Sequence, residues 1–177
     1  GLGDVYKRQV HAPSVEKVLA MIPNSIVKHN DISAAGSVKI EGTVQGAYGK
    51  QKLPIVTLCL QIEEASAQYK GLPYGIDHLS ADFDAQVDLM RQQESFLDLK
   101  IFKLKGMHTE VLATAKATDL FTDPLITLKT CSKIDLDALA KTFPLQEGVS
   151  ITGKIDADLN AKCRLSAIRN QDFGRIQ

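Results

Sequence analysis

Asp82, Asp84 and Asp88 recur at even spacing and could gather into an acidic metal site, since clustered carboxylates are hard oxygen ligands for divalent cations. On a strand that spacing puts all three on one side, with Phe83, Ala85, Val87 and Leu89 on the other. A solvated strand face accounts for the pattern better than a ligand set does. Cys59, Cys131 and Cys163 are far apart and contain no Cys-x-x-Cys, so zinc-ribbon and thioredoxin chemistry fail. Strand alternation places Cys59 and Cys131 on one nominal face and Cys163 on the other, as isolated thiols filling small apolar positions. His11, His29, His78 and His108 show neither His-x-x-x-His spacing nor the carboxylate arrangement of a metalloprotease. A Gly-x-Ser-x-Gly elbow and a phosphate-cradling glycine loop are both missing from the sequence. The residues speak against an enzyme and imply no cofactor and no metal.

Charge narrows the partners. Lys plus Arg is 21 and Asp plus Glu is 21, a net charge of +0, where a nucleic-acid binder carries a basic patch or stripe. Aromatics are 6% and Trp is absent, which removes the stacking platforms that hold single strands. No apolar run approaches the ~20 residues of a spanning helix. The longest, Ile55 to Ile62, is interrupted by Thr57 and Gln61. At 177 residues the chain is one ordinary domain or a piece of something larger. Its three cysteines, without a pairing pattern, argue mildly against a strongly oxidising home.

Period two dominates the elements that would position these residues. Leu79, Ala81, Phe83, Ala85, Val87 and Leu89 alternate with Ser80, Asp82, Asp84, Gln86 and Asp88, the pattern of an antiparallel strand with one wet face. The alternation recurs at Val38 and Ile40, at Val56 to Ile62, and at Leu97, Leu99 and Ile101. It returns at Val111 to Ala117, Ile126 to Ile134, and Ile155 to Ala161. Turn residues punctuate the runs at Gly46–Lys52, Gly71–Gly75, Arg91–Glu94, Gly106 and Asp123–Pro124. The expected fold is mainly β, a curved antiparallel meander of about seven or more strands forming a groove. Two short helices join it. One is capped by Ser14 and carries Val15, Val18, Leu19 and Ile22 up to Pro23; the other is capped by Asp135 and carries Leu136, Leu139 and Phe143 up to Pro144.

Gly1 to Gln9 reads as a translated sequencing adapter and is set apart from the fold as a scar. On this reading the chain is a piece of a longer reading frame, and the scar is expected to be disordered or weakly attached at an edge. The two helices each end in an apolar residue and proline and lead into a glycine-opened strand, at Gly36 and Gly153. The spacing of about 120 residues defines a repeat. Residues 10–134 make one unit, with a short helix plus strands, and 135–177 begin the next.

Ala35-Gly36-Ser37-Val38-Lys39-Ile40-Glu41-Gly42, with Leu53-Pro54 opening a long strand, resembles the AsmA family. So do Ile134 to Leu139, Phe143 to Val149 and Ile151 to Leu159. The likeness is strongest to the long AsmA-like, TamB-like proteins of Bacteroidetes and covers most of the chain from Ser14 onward, through degenerate motifs. The resemblance implies a periplasmic β-groove, anchored in the inner membrane by an N-terminal helix that this sequence lacks. Such a groove carries or shelters phospholipid between inner and outer membranes and supports outer-membrane biogenesis. The implied partners are phospholipid acyl chains and the envelope membranes, with no nucleic acid.

Physical reasoning is consistent with the same groove: an apolar sheet face must be buried against something, either a second sheet in a sandwich or an acyl chain filling the concavity. Val38, Ile40, Leu58, Leu60, Phe83, Val87, Leu97, Leu99, Ile101, Val111 and Leu128 are the expected lipid-facing residues. A periplasmic scaffold for outer-membrane proteins and a closed β-sandwich binding module are the alternatives.

Overall fold

A computed structural model of the chain describes residues 5–10, 14, 31–46, 53–142 and 150–169. Each alternating run becomes a strand, and one strand that the alternation does not announce precedes them: β1 (Val5–Val10), then β2 (Ile32–Gln45), β3 (Ile55–Tyr69), β4 (Ile76–Asp88), β5 (Phe96–Gly106), β6 (Thr109–Thr118), β7 (Leu125–Asp135) and β8 (Lys154–Arg164). They form one open sheet of 8 strands in chain order, every neighbouring pair antiparallel. The mainly β meander expected from alternation is what the chain forms. Two short helices, α1 (Leu136–Thr142) and α2 (Leu165–Arg169), and a 3-10 turn at Gln92–Glu94 complete it.

The segment read as an adapter scar contributes most of β1, at the margin of the sheet, paired only with β2 from Val5↔Gln45 to Val10↔Ile40. The expected helix after Ser14 lies outside the described residues, as do Phe143 and Pro144. Helix α1 starts where Asp135 was expected to cap it: Asp135 Oδ1 accepts the Ala138 amide at 3.0 Å. Its start is tied to the approach to β8, with the Leu136 amide on the Gly153 carbonyl and the Gly153 amide on Asp137 Oδ2. Gly36 and Gly153, the glycines aligned in the expected repeat, share a left-handed backbone with φ of 114° and 117°. Gly36 is the single β2 residue facing a bulge that Glu64 and Ala65 make in β3, whereas Gly153 precedes β8. At Gly36 the conformation and the space both demand glycine, since a Cβ there would lie 2.5 Å from Ala65 Cα.

Short turns set the register. Met107 and His108, both at positive φ, make the two-residue connection between β5 and β6, with Gly106 paired to Thr109. Between β4 and β5, Asp88 turns inward. Its Oδ1 accepts the amides of Met90 and Arg91 at 3.0 and 2.8 Å, and its Oδ2 accepts Arg91 Nε at 3.1 Å. Its own amide donates to Ser95 Oγ. Asp88 and Ser95 are each 1% exposed, so Asp88 is no part of a solvated acidic face: it is the buried staple of this turn.

The distribution of buried residues is unusual. The largest fully buried side chains among the described residues are Asp88 and Ser95. The buried apolar ones are mostly small, such as Ala34, Ala65, Ala81 and Ala138. The chain exposes 12461 Å². A compact monomer of 19.3 kDa exposes about 8,500 Å². Among the described residues no second sheet lies against the apolar residues of the strands, and many of them stay partly exposed.

Backbone amides and hydroxyls hold three carboxyls below their usual range: the Arg91 amide at Asp88, the Ser166 hydroxyl and amide at Asp123, and the Ala138 amide at Asp135. Depressed folded-state values mean this stabilisation is complete above the unfolded carboxylate value of about 3.9 and is lost as pH falls through the lower folded values. Melting temperature followed by circular dichroism should therefore hold nearly level down to pH ~4.5 and drop below pH ~4. Asp88→Ala should strip hydrogen-exchange protection from the Met90 and Arg91 amides and leave β7 and β8 protected. Unchanged protection at those two amides would count against the staple.

Candidate functional site

Antiparallel pairing carries sidedness from strand to strand, because opposed residues project to the same side. Val38 and Ile40 of β2 oppose Ile62 and Leu60 of β3. Leu60 and Leu58 oppose Phe83 and Ala85 of β4, and Val56 opposes Val87. Phe83 and Ala85 in turn oppose Leu99 and Leu97 of β5. Leu99 opposes Ala115 and Leu104 opposes Val111 on β6. Ala115 opposes Leu128 on β7, and Leu128 opposes Ala161 on β8. The register thus gathers Val38, Ile40, Leu58, Leu60, Phe83, Val87, Leu97, Leu99, Val111 and Leu128 on one face.

Ile101 is the exception. A bulge in β5 shifts the register between Leu99 and Phe102, so Ile101 opposes Asp82 on the other face. Phe102 takes its place, opposite Ala81 and Ala113. Strict alternation from Leu97 predicts the wrong residue because an inserted residue reverses every side chain beyond it. The adjacent apolar pair Ile101-Phe102 was the available signal. The face also holds residues that reasoning from the sequence left out of the groove, including Val56, Ile62, Leu104, Ile126 and Leu159. Its non-apolar positions between β2 and β8 include Gly42, Gly106, Thr109, Thr130 and Ser132.

Across β2 to β8 this face is ~29 Å wide at ~4.8 Å per strand, and its strands run ~33 Å or more at ~3.3 Å per residue. The outline of this face is therefore on the order of 900 Å², and exposed apolar residues recur across it from β3 to β8. Its members are open to solvent in part, with Val56 at 39%, Leu58 and Leu97 at 38% and Leu159 at 47% exposure.

The opposite face is ionic. Lys100 Nζ lies 2.6 Å from Asp84 Oδ2 and 3.7 Å from Asp82 Oδ1. Asp98 faces Lys116, and Lys105 pairs with Glu110 at 3.1 Å. The Lys100 ammonium holds the Asp84 carboxyl below its usual range, with help from the Cys59 thiol. Asp84 in turn accepts a hydrogen bond from the Cys59 thiol and raises its pKa, which keeps it in the unreactive protonated form near neutral pH. The expected split of the cysteines between faces is observed, but only the buried Cys163 fills a small apolar position. Cys59 and Cys131 are exposed on the ionic face. Among the described residues no group of three or more His, Cys, Asp or Glu could hold a metal ion. A shallow depression on the ionic face is lined by His78, Lys103, Lys105, Leu112, Cys131 and Lys133 among others. It lies on the far side of the sheet from the apolar surface.

No family model, no curated protein and no solved structure matches this chain.

The bulge makes the face assignment testable with two adjacent positions. Ile101→Lys puts a cation opposite Asp82 and should change stability by about 1 kcal/mol or less. Phe102→Lys removes an aromatic ring from the apolar face and should cost about 2 kcal/mol. It should also lower the fluorescence of a bound environment-sensitive dye, whereas Ile101→Lys should leave that signal intact. The reverse ranking in urea unfolding and dye binding would place Ile101 on the apolar side.

Proposed function

We propose that this chain is a segment of an AsmA-like envelope protein whose apolar β-face carries or shelters phospholipid acyl chains between the inner and outer membranes. One observation carries the reading: the apolar face continues in register from β2 to β8, and Val56, Leu58, Leu97 and Leu159 on it stay 38–47% exposed. A surface that large in water is unfavourable, and each acyl methylene laid on it is worth about 0.8 kcal/mol. An acyl chain needs length and apolarity from its host, with no charged residue to select it. The face offers both. The reading assigns the chain to the periplasm and its attachment to an inner-membrane helix elsewhere in the parent protein. Among the described residues no helix is long and apolar enough to cross a membrane. A closed sandwich would need a second sheet facing the first, and the described residues form a single sheet.

Two carboxylates on neighbouring strands test the proposal. Leu99→Asp sets a charge among Phe83 and Ala115, where desolvating it beneath a lipid tail costs several kcal/mol. Thr114→Asp lies on the ionic face opposite Lys129, where it is exposed. Asp84 is unsuited as a control because it is already paired with Lys100. After incubation with phospholipid vesicles and gentle repurification, native mass spectrometry should find lipid on the wild type and on Thr114→Asp. It should find little on Leu99→Asp, with both variants checked for an unchanged β-sheet circular dichroism spectrum. Equal loading of folded Leu99→Asp and wild type would defeat the conduit. Absence of lipid from all three would favour a protein-binding scaffold.

A further inference from the structure

Strand β8 is the last of the sheet, and among the described residues nothing pairs with its outer edge. Its 11 residues contain neither proline nor glycine, so a full row of amides and carbonyls is presented to a partner strand. Helix α2 does not close that edge. The Leu165 amide donates to the Pro124 carbonyl at 2.8 Å, and the Ser166 amide and hydroxyl donate to the Asp123 carboxylate at 2.9 and 2.7 Å. These bonds draw α2 back over the connection between β6 and β7, on the inner side.

We infer that the outer edge of β8 pairs antiparallel with β8 of a second copy of this chain, about a two-fold axis through Asn160. Charge order singles out this partner. On the ionic face β8 reads Lys154, Asp156, Asp158, Asn160, Lys162, Arg164, so that after Lys154 two acidic residues precede Asn160 and two basic ones follow it. Reversed against itself about Asn160, the strand sets Asp158 opposite the partner's Lys162 and Asp156 opposite the partner's Arg164. The symmetry makes each pair twice. Arg164 is already shared with Asp119 at 2.6 Å, so the pair of Asp158 and Lys162 is the more telling. Neither of those two has an ion-pair partner among the described residues.

Other registers fail for stated reasons. A slip of two residues one way sets Lys154 against the partner's Arg164, two like charges. The same slip the other way keeps only Asp158 opposite the partner's Arg164 and leaves Asp156 and Lys162 facing no charge. Odd slips turn the apolar face of one copy toward the ionic face of the other. In the favoured register the axis is perpendicular to the sheet, so both apolar faces stay on one side. Leu159, 47% exposed, then meets the partner's Ala161, and the 8 strands double into one continuous surface. The inference rests on the edge and its charge order and not on lipid binding; where the parent protein continues the sheet, the same edge takes a further strand of its own polypeptide, and the state of association separates the two.

Sedimentation velocity on the whole chain at tens of micromolar should show a dimer. Asp158→Lys turns two attractions into two repulsions and should raise the dissociation constant about tenfold or more. The double variant Asp158→Lys/Lys162→Asp should restore it, which also guards against a single variant that merely misfolds. The register has its own readout. In a Cys59→Ser/Cys131→Ser background, Asn160→Cys should form an intermolecular disulfide under mild oxidation, because the axis holds the two Cα atoms ~4.5–5.5 Å apart. Lys162→Cys should not, since its two copies lie ~13 Å apart in that register. A monomer at these concentrations, a dimer indifferent to charge reversal, or equal cross-linking through Lys162→Cys would each overturn the proposal. The monomer would leave the edge to a strand of different origin, such as a further strand of the same polypeptide.

Discussion

In an antiparallel sheet two residues placed opposite each other project to the same side, so each strand inherits the sidedness of the one before it. Here the inheritance runs from β2 to β8 without loss, because each bulge is absorbed within the strand that carries it. Lys100 and Ile101 reverse the parity of β5, and Phe102 and Leu104 resume the apolar row beyond them. Burial then becomes a single demand made by one whole surface, not a set of local demands met by separate clusters. Without a second layer among the described residues, that surface governs how the rest of the molecule is arranged.

The polar groups are arranged to compensate for the missing core. The most completely buried side chains are Asp88 and Ser95, at a turn and not between layers. Asp123 and Asp135 hold helix starts against strand ends. Cross-strand pairs such as Lys100 with Asp84 run along the ionic face. Exposed pairs of this kind contribute about 0.2–1 kcal/mol each, so they set register and sidedness more than they supply stability. Hydrogen bonding along the strands and half-burial of many apolar side chains carry the remainder.

The strands were legible because period two is a local property: Leu79 to Asp88 alternates without interruption, and β4 occupies that run. The cap at Asp135 was legible for the same reason, since its acceptor and donor stand three residues apart. Helix α2 was not. Its stabilising carboxylate, Asp123, lies 43 residues earlier in the chain, and nothing near Leu165 announces it. Asp88 was misjudged because composition makes an alternating aspartate look wet, while its burial depends on the fold of Met90, Arg91 and Ser95 around it. The apolar surface was legible except at Ile101, where a two-residue apolar run signalled a bulge that strict alternation overrides.

The strand order has a consequence for how such a chain is made. Each strand between the two edges pairs only with its predecessor and its successor, and the Met107–His108 turn joins two of them by the shortest of connections. Contacts are therefore local in sequence, which favours fast assembly. A new strand can zip onto the previous edge as soon as it emerges from a ribosome or a translocation pore, with no distant segment required. The same economy lets a gene lengthen the protein by copying hairpins, since an added pair of strands extends the sheet without disturbing those already laid down.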